Sequence, residues 1–198
     1  MMTFKKTFFI VLLFALVSGV LQCLPVPLQH MLHYQAGQMP AHFFYLWLTP
    51  HLIHLSPSHY LINIASLAVV LLTFRTFFTP VRFFLLFAFS AASVTLGLWC
   101  CSPGVTDYVG MSGVIYGILS AGLLWSAKKH PLLSWTAFTL IAGKVVLETF
   151  YGPHLSIQAS LGETVIVDAH LYGFLSGILF TCFTLFYFKV YPRYISTH

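Results

Sequence analysis

Six long runs of apolar residues, separated by short polar breaks, constrain this chain more than any other feature of its sequence. The runs cover residues 7–24, 59–74, 82–100, 111–127, 132–150 and 169–188. A helix needs about 20 apolar residues to cross the hydrocarbon core of a bilayer, so each run is close to that length. Only 7% of the residues are charged, whereas soluble domains carry about 25%. We therefore predict an all-α, polytopic membrane protein: a six-transmembrane-helix bundle that forms a single domain over residues 1–198.

The basic residues predict how this bundle is oriented, because Lys and Arg concentrate in cytoplasmic loops. Lys5 and Lys6 precede the first run and place the N-terminus inside. Six crossings then put the following basic residues on the same side: Arg75, Arg82, Lys128, Lys129, Lys189 and Arg193. The acidic residues fall at or beyond the outer ends: Asp107, Glu148, Glu163 and Asp168. We predict cytoplasmic N- and C-termini and a long outer first loop, residues 25–58, which contains neither Lys nor Arg.

Other classes of protein fit the sequence less well. A signal peptide is an alternative for the first run, but no A-x-A-like cleavage site precedes Cys23, so we favour an uncleaved helix. The four cysteines form no CxxC motif and no disulfide framework. The basic residues are scattered and form no basic face. We therefore expect the lipid bilayer as a partner, and we expect no binding of nucleic acid.

Polar residues open three of the predicted spans, and all three openings lie on the outer side. His59 and Asn63 share one face of span two through their i, i+4 spacing. Span four opens with Gly110 and Ser112, and span six opens with His170. Each residue alone has a structural explanation. In a membrane helix, Ser commonly hydrogen-bonds to its own backbone and Asn commonly hydrogen-bonds to a neighbouring helix, and a His at the interface is commonly solvated. Their common depth instead favours a functional site.

The chemistry of these side chains explains why they belong together. A serine hydroxyl is a weak nucleophile until a base takes its proton, and His170 can do this for Ser112. The oxyanion that forms needs donors, which His59, Asn63 and the backbone N–H near Gly110 can supply. No acidic third member is evident, because Asp168 is two residues from His170 and does not face it on a helix. We therefore predict a Ser-His dyad.

Small residues predict that spans four and six approach closely. Gly113 and Gly117 form one row with small-xxx-small spacing, and Gly173 and Gly177 form another. Close packing would let Ser112 reach His170, with Tyr116 beside the imidazole. Ordinary helix association is the alternative explanation of both rows.

These residues resemble the motifs of the rhomboid family of intramembrane serine proteases. The matching pieces are His59-x-x-x-Asn63, Gly110-x-Ser112-Gly113 with Tyr116, and Ala169-His170-x-x-Gly173-x-x-x-Gly177. The runs at residues 48–55, 108–114 and 167–173 look like the rhombosortase branch. The first loop departs from the family because Tyr45-Leu46 stands where many rhomboids carry Trp-Arg, so the resemblance does not extend to the anchoring of that loop.

The resemblance implies a role for each matching residue. Ser112 resembles the nucleophile, His170 the general base, His59 and Asn63 the oxyanion side chains, and Tyr116 the aromatic residue that stacks on the histidine. It also implies a multi-pass protein of the bacterial inner membrane whose active site faces the periplasm. The implied substrates are exported proteins with a C-terminal transmembrane sorting tail that contains Gly-Gly, and no cofactor is implied.

Several alternatives stay open from the sequence alone. His42, His51, His54 and His59 crowd the first loop, but without a Cys or carboxylate we expect a structural cluster and no metal. In span five we expect a mutually paired, structurally quiet couple, Lys144 and Glu148. Two other functions compete with a protease. One is a catalytically silent rhomboid-like binder of transmembrane segments, and the other is a histidine-lined transporter or haem protein.

Overall fold

The computed structural model describes residues 1–153, 157–160, 162 and 164–190, with backbone only at 40, 157, 158 and 188–190. Glu163, Arg193 and the side chain of Lys189 therefore lie outside the described residues, and their positions stay predictions. Most of the described chain is α-helical, as predicted. The elements are α1 (Phe4–Gln22), α2 (Val26–Met31), β1 (Tyr34–Gln35), α3 (Met39–Leu46), α4 (Pro57–Phe74), α5 (Pro80–Cys101), β2 (Asp107–Tyr108), α6 (Ser112–Ser126), α7 (Pro131–Tyr151), α8 (Ile157–Ser160) and α9 (Val167–Val190).

Five of these helices are long and apolar enough to cross a membrane: α1, α4, α5, α7 and α9. The remaining apolar helix, α6, has 15 residues and is about 22 Å long at 1.5 Å per residue. It is one residue shorter at each end than the predicted run of residues 111–127, because residue 111 belongs to the connection from β2 and residue 127 follows the helix. The count of six complete spans stays a prediction.

Helix α6 is the centre of the bundle, with eleven of its fifteen residues buried. Two of its three glycines, Gly113 and Gly117, face those of α9 directly. A Cβ atom on Gly173 would collide with the carbonyl oxygen of Gly113, and one on Gly177 would collide with the carbonyl oxygen of Gly117. The backbones of α6 and α9 are therefore in contact at two successive turns. We call this contact the seam, and any side chain larger than the hydrogen atom of glycine would push the two helices apart there.

The basic residues near helix ends gather at one end of the bundle. The backbone N–H of Met2 donates to the carbonyl oxygens of Arg75 and Phe78, which joins the N-terminus to the turn between α4 and α5. At the same end, the guanidinium of Arg82 lies 4.9 Å from the ring centre of Trp125 near the end of α6. This clustering is what a positive-inside arrangement requires. That this end is cytoplasmic stays a prediction.

The long first loop folds onto the opposite end of the bundle. Strand β1 pairs antiparallel with β2, with Tyr34 opposite Tyr108. Tyr34, Met39 and Leu46 are fully buried in an apolar cluster against α5 and α9. Leu46 belongs to the Tyr45-Leu46 pair that stands in place of Trp-Arg. The first loop is thus anchored at this position by apolar packing. The amide of Gln22 adds two hydrogen bonds to the backbone of His54.

Candidate active site

Ser112 and His170 lie within hydrogen-bonding distance of each other. Ser112 is the first residue of α6, His170 is in the first turn of α9, and Ser112 Oγ lies 3.0 Å from His170 Nε2. The seam explains this placement, because Gly113 packs directly against the backbone carbonyl of Ala169. The imidazole is buried, with 3% of His170 exposed. A buried histidine that contacts a serine hydroxyl can accept the hydroxyl proton and raise the oxygen's nucleophilicity.

Tyr116 lies one turn below Ser112 and stacks on the histidine. The two ring centres are 4.5 Å apart and the ring planes differ by 29°. This stacking covers one face of the His170 imidazole and limits its rotation. The position of Tyr116 beside the imidazole is the one that the sequence predicts.

Asn63 and His59 lie on the same face of α4 and are both buried. Asn63 Nδ2 donates one hydrogen bond to the backbone carbonyl of His59, at 2.9 Å. Because an amide NH2 has two hydrogens, a second donor remains on Asn63. The ring of His59 lies against Gly110, where a Cβ atom would come within 2.8 Å of the His59 ring. Gly110 also has a φ of +124°, so this position needs glycine for two reasons.

The backbone N–H of Gly110 does not serve as the expected oxyanion donor. It donates to the carbonyl oxygen of Pro50, at 2.9 Å, and the Gly110 carbonyl accepts from the Tyr108 hydroxyl, at 2.6 Å. The prediction for Gly110 is therefore wrong, because both polar groups of this residue hold the first loop and β2. The N–H of Ser112, in the first turn of α6, is a better candidate since the first four N–H groups of a helix lack an intrahelical acceptor.

The acidic residue Glu148 contacts His170, and the sequence did not predict this contact. Glu148 Oε2 lies 3.2 Å from His170 Nδ1, on the ring edge opposite Ser112. Its other oxygen pairs with Lys144 Nζ at 2.6 Å, so the predicted i, i+4 pair is present. Lys144 also donates to the Tyr116 hydroxyl, at 2.7 Å. The pair is thus part of the site, and the prediction of a structurally quiet couple is wrong.

A signal for Glu148 was present in the sequence. It is the only acidic residue inside a predicted span, and ionisable residues inside a membrane are usually functional. Its partner was not deducible, because the spacing of Lys144 and Glu148 says nothing about which helix they face. Asp168, the acidic residue near His170 in sequence, instead accepts a hydrogen bond from Ser102, at 2.5 Å.

Tyr108 is a second neighbour of the serine that the sequence did not predict. Burial raises the pKa of the Tyr108 phenol, and contacts with the Gly113 N–H and the Ser112 hydroxyl oppose this rise. A narrow cleft reaches Ser112 between His59 and Val109 on one side and residues 164–166 on the other. The volume of this space is about 10 Å³, which is room for a group the size of a water molecule beside the serine.

Two histidines of the first loop, His51 and His54, are buried, and His51 is held by hydrogen bonds to α5. His51 Nε2 bonds with the carbonyl oxygen of Ala91 and the hydroxyl of Thr95, both at 3.1 Å. Burial lowers the pKa of His51 to about 4 and that of His54 to about 3. A different group offers metal-ligand atoms within 4.8 Å of one another: His30, His33 and Asp107. By distance this set is able to hold a metal ion, and it is not the cluster considered in the sequence.

Comparison with known families gives one match. A family model described as Rhomboid domain matches residues 41–187, which is most of the chain and includes both Ser112 and His170. No curated protein matches the chain.

Proposed function

The chain belongs to the rhomboid family, whose members are generally intramembrane serine proteases, and from this premise we propose that it is a serine endopeptidase with Ser112 as nucleophile and His170 as general base. One observation carries the proposal: Ser112 Oγ and His170 Nε2, contributed by different helices, are 3.0 Å apart. The chain is a multi-pass membrane protein, so its substrates are proteins within the bilayer.

The reaction follows from the positions of the polar atoms. Ser112 Oγ attacks the carbonyl carbon of the substrate while its proton passes to His170 Nε2. The oxyanion that forms is stabilised by the second N–H of Asn63, by His59 and by the Ser112 backbone N–H. His170 then gives its proton to the leaving amine as the C–N bond breaks. A water molecule, deprotonated by His170, hydrolyses the acyl-enzyme and restores the serine.

The length of α6 supports cleavage below the membrane surface. A helix of about 22 Å is shorter than a hydrocarbon core of about 30 Å. With its C-terminal end near the basic end of the bundle, α6 would begin below the opposite surface, with Ser112 at its first residue. In this arrangement α6 completes six crossings in one domain and the site opens to the outer side, which is the periplasm if the membrane is a bacterial inner membrane.

The substrate class we propose is the C-terminal transmembrane sorting tail of exported proteins, as in rhombosortases. Its support is the resemblance of residues 108–114 and 167–173, which include the serine and the histidine. The space beside Val109 and Ser112 is only about 10 Å³, which favours small side chains at the bond to be cut. A Gly-Gly pair fits this requirement, and each glycine weakens a helix by about 1 kcal/mol, which helps the tail to unwind for attack.

The test is cleavage of a model protein with a Gly-Gly-containing C-terminal tail, co-reconstituted with the full chain in lipid vesicles. We expect the wild type to release a shortened product and Ser112→Ala to release none. Ser134→Ala is the matched control, because Ser134 is a buried serine that bonds with Ser126 at the other end of the bundle. Binding of the tail by the wild type without cleavage would instead support the silent binder.

Asn63→Ala tests the proposed oxyanion contact. We expect cleavage to slow by up to about 1,000-fold, since an oxyanion donor contributes about 3 to 4 kcal/mol. Covalent labelling of Ser112 by a fluorophosphonate should persist, because the nucleophile and base remain. Loss of labelling equal to that of Ser112→Ala would contradict the role assigned to Asn63.

A further inference from the structure

We propose that Glu148 is a positioning residue that holds His170 in the tautomer able to accept the Ser112 proton, and that Lys144 keeps Glu148 charged for this role. The inference rests on the proposed Ser112–His170 chemistry and extends it. The predicted dyad becomes a Ser-His-Glu arrangement whose acidic member comes from α7.

The hydrogen bonds leave one arrangement of protons on the neutral imidazole. An ionised carboxylate only accepts hydrogen bonds, and a neutral histidine carries a proton on one ring nitrogen. Glu148 Oε2 lies 3.2 Å from His170 Nδ1, so this nitrogen carries the proton. The lone pair then belongs to Nε2, the atom that lies 3.0 Å from Ser112 Oγ. Glu148 thereby selects the form of His170 that can act as a base.

Lys144 explains how a charged carboxylate is tolerated at this position. Glu148 is almost fully buried, with 1% of its side chain exposed, and an unpaired buried charge is strongly destabilising. Lys144 Nζ lies 2.6 Å from Glu148 Oε1 and leaves Oε2 for His170. The side chain of Lys144 is 24% exposed, and its ammonium bonds with both Glu148 and the Tyr116 hydroxyl.

The four side chains form a closed ring of contacts around the imidazole. His170 contacts Glu148, Glu148 contacts Lys144, Lys144 contacts the Tyr116 hydroxyl, and the Tyr116 ring stacks on His170. Glu148 therefore holds one edge of the His170 ring, and Tyr116 covers one face of it. Both of these residues are bonded to Lys144 of α7. When His170 takes the serine proton, the imidazolium lies beside a carboxylate that stabilises it.

The experiment measures inactivation of the full chain by a fluorophosphonate in detergent micelles, which separates the rate constant kinact from the binding constant KI. We expect Glu148→Gln to lower kinact by about 100-fold or more, towards the ~10⁴-fold loss seen when a serine triad loses its acid. KI should stay unchanged, because Glu148 does not contact the inhibitor. Glu148→Asp should recover part of kinact, since it keeps the charge. The matched control is Asp168→Asn, which should keep kinact within about twofold of the wild type.

A double variant tests the role of Lys144. Lys144→Met leaves Glu148 without its cation, so we expect a fall in kinact that approaches that of Glu148→Gln. Lys144→Met combined with Glu148→Gln should be slower than Glu148→Gln alone by no more than the roughly fivefold expected for losing the Lys144–Tyr116 hydrogen bond, because the rest of the Lys144 effect acts through Glu148. Multiplicative losses in the double variant would overturn this part of the inference.

The outcomes separate this inference from the proposed function. A folded wild type that is not labelled would overturn the Ser112–His170 chemistry and this inference with it. A labelled wild type with a Glu148→Gln variant less than tenfold slower would overturn the role of Glu148 alone. Circular dichroism melting of each variant shows whether the protein is folded, and equal losses in Glu148→Gln and Glu148→Asp would indicate a packing role and overturn the inference.

Discussion

The α6–α9 seam and helix α7 both deliver residues to the site, but they do so in opposite ways. Along the seam, glycines face glycines and the two backbones touch. Helix α7 buries much less of its surface in the bundle: 17% of its apolar stretch is buried, and residues such as Leu140 and Phe150 are more than two-thirds exposed. It reaches the site through two long side chains, those of Lys144 and Glu148.

Backbone packing therefore fixes the positions of some site residues, whereas the positions of others can adjust. The positions of Ser112 and His170 follow from contacts that allow no side chain between the helices. The positions of Lys144 and Glu148 depend on how α7 is placed against the bundle. We therefore expect changes in the seam to abolish activity together with the packing of α6 on α9, and changes at the α7 contacts to lower the rate while that packing persists.

The largest effect is expected from a side chain placed in the seam. Gly173→Leu puts a Cβ atom onto the carbonyl oxygen of Gly113, so α9 must move away and carry His170 with it. We expect cleavage to be lost and the free energy of unfolding to fall by about 3 kcal/mol or more, the upper range for overpacking. Cleavage in vesicles and thermal melting in detergent measure the two effects.

The matched control for Gly173→Leu lies on α7. Gly143 is also a helical glycine in a predicted span, and a Cβ there would meet no atom within 4 Å among the described residues. Gly143→Leu should keep cleavage and melt at or slightly above the wild-type temperature, since Leu is the better helix former. Equal damage from both variants would contradict the contrast between the seam and α7.

Acid should act on the first loop and leave the glycine contacts of the seam intact. Burial lowers the pKa of His51 to about 4 and of His54 to about 3, below the ordinary histidine value of 6.5. Between pH 6.5 and pH 4 the unfolded chain therefore binds more protons than the folded chain, and stability falls as pH falls. From about pH 7 to about pH 5 we expect a loss of about 2 kcal/mol for each histidine.

Thermal melting at pH 7 and pH 5 measures this loss. His51→Gln removes one titrating group and should flatten the pH dependence by about half. His130→Gln, at an exposed position, is the control and should leave the pH dependence unchanged. An unchanged slope in His51→Gln would show that the buried histidine does not cause the acid sensitivity.

A smaller effect is expected at Tyr116, where the two regions meet. Tyr116→Phe keeps the ring on His170 and removes the hydroxyl that Lys144 contacts. Loss of a hydrogen bond of about 1 kcal/mol should slow cleavage by roughly fivefold. Tyr116→Leu removes the stacking as well and should slow cleavage further, by up to about tenfold more. Equal rates for the two variants would show that the ring does not position the histidine.

The parts of the site that the sequence predicted depend on local spacing. The glycine rows indicate a close approach of two helices, and the positions of Ser112 and His170 at helix openings indicate a shared depth. The remaining parts depend on tertiary contacts. Pro50 takes the Gly110 N–H from a distant loop, and the rotation of α7 decides that Glu148 faces His170. Neither contact has a period or a spacing in the sequence that reveals it.

The length of α6 shows the same limit within one element. The predicted run covers residues 111–127 and so extends one residue beyond each end of the 15-residue α6. The helix begins at Ser112 because β2 pairs with the first loop and Gly110 is tied to Pro50. A pairing between two segments that are far apart in the chain, at Tyr34 and Tyr108, therefore sets where the serine lies.

Covalent labelling in native membranes tests most directly whether His170 activates Ser112. The full chain, Ser112→Ala and His170→Ala are treated with a fluorophosphonate, and the labelled residue is identified by mass spectrometry. We predict that the wild type is labelled on Ser112 and that neither variant is labelled. A folded wild type that stays unlabelled, or a label that persists in His170→Ala at the wild-type rate, would contradict a serine activated by His170.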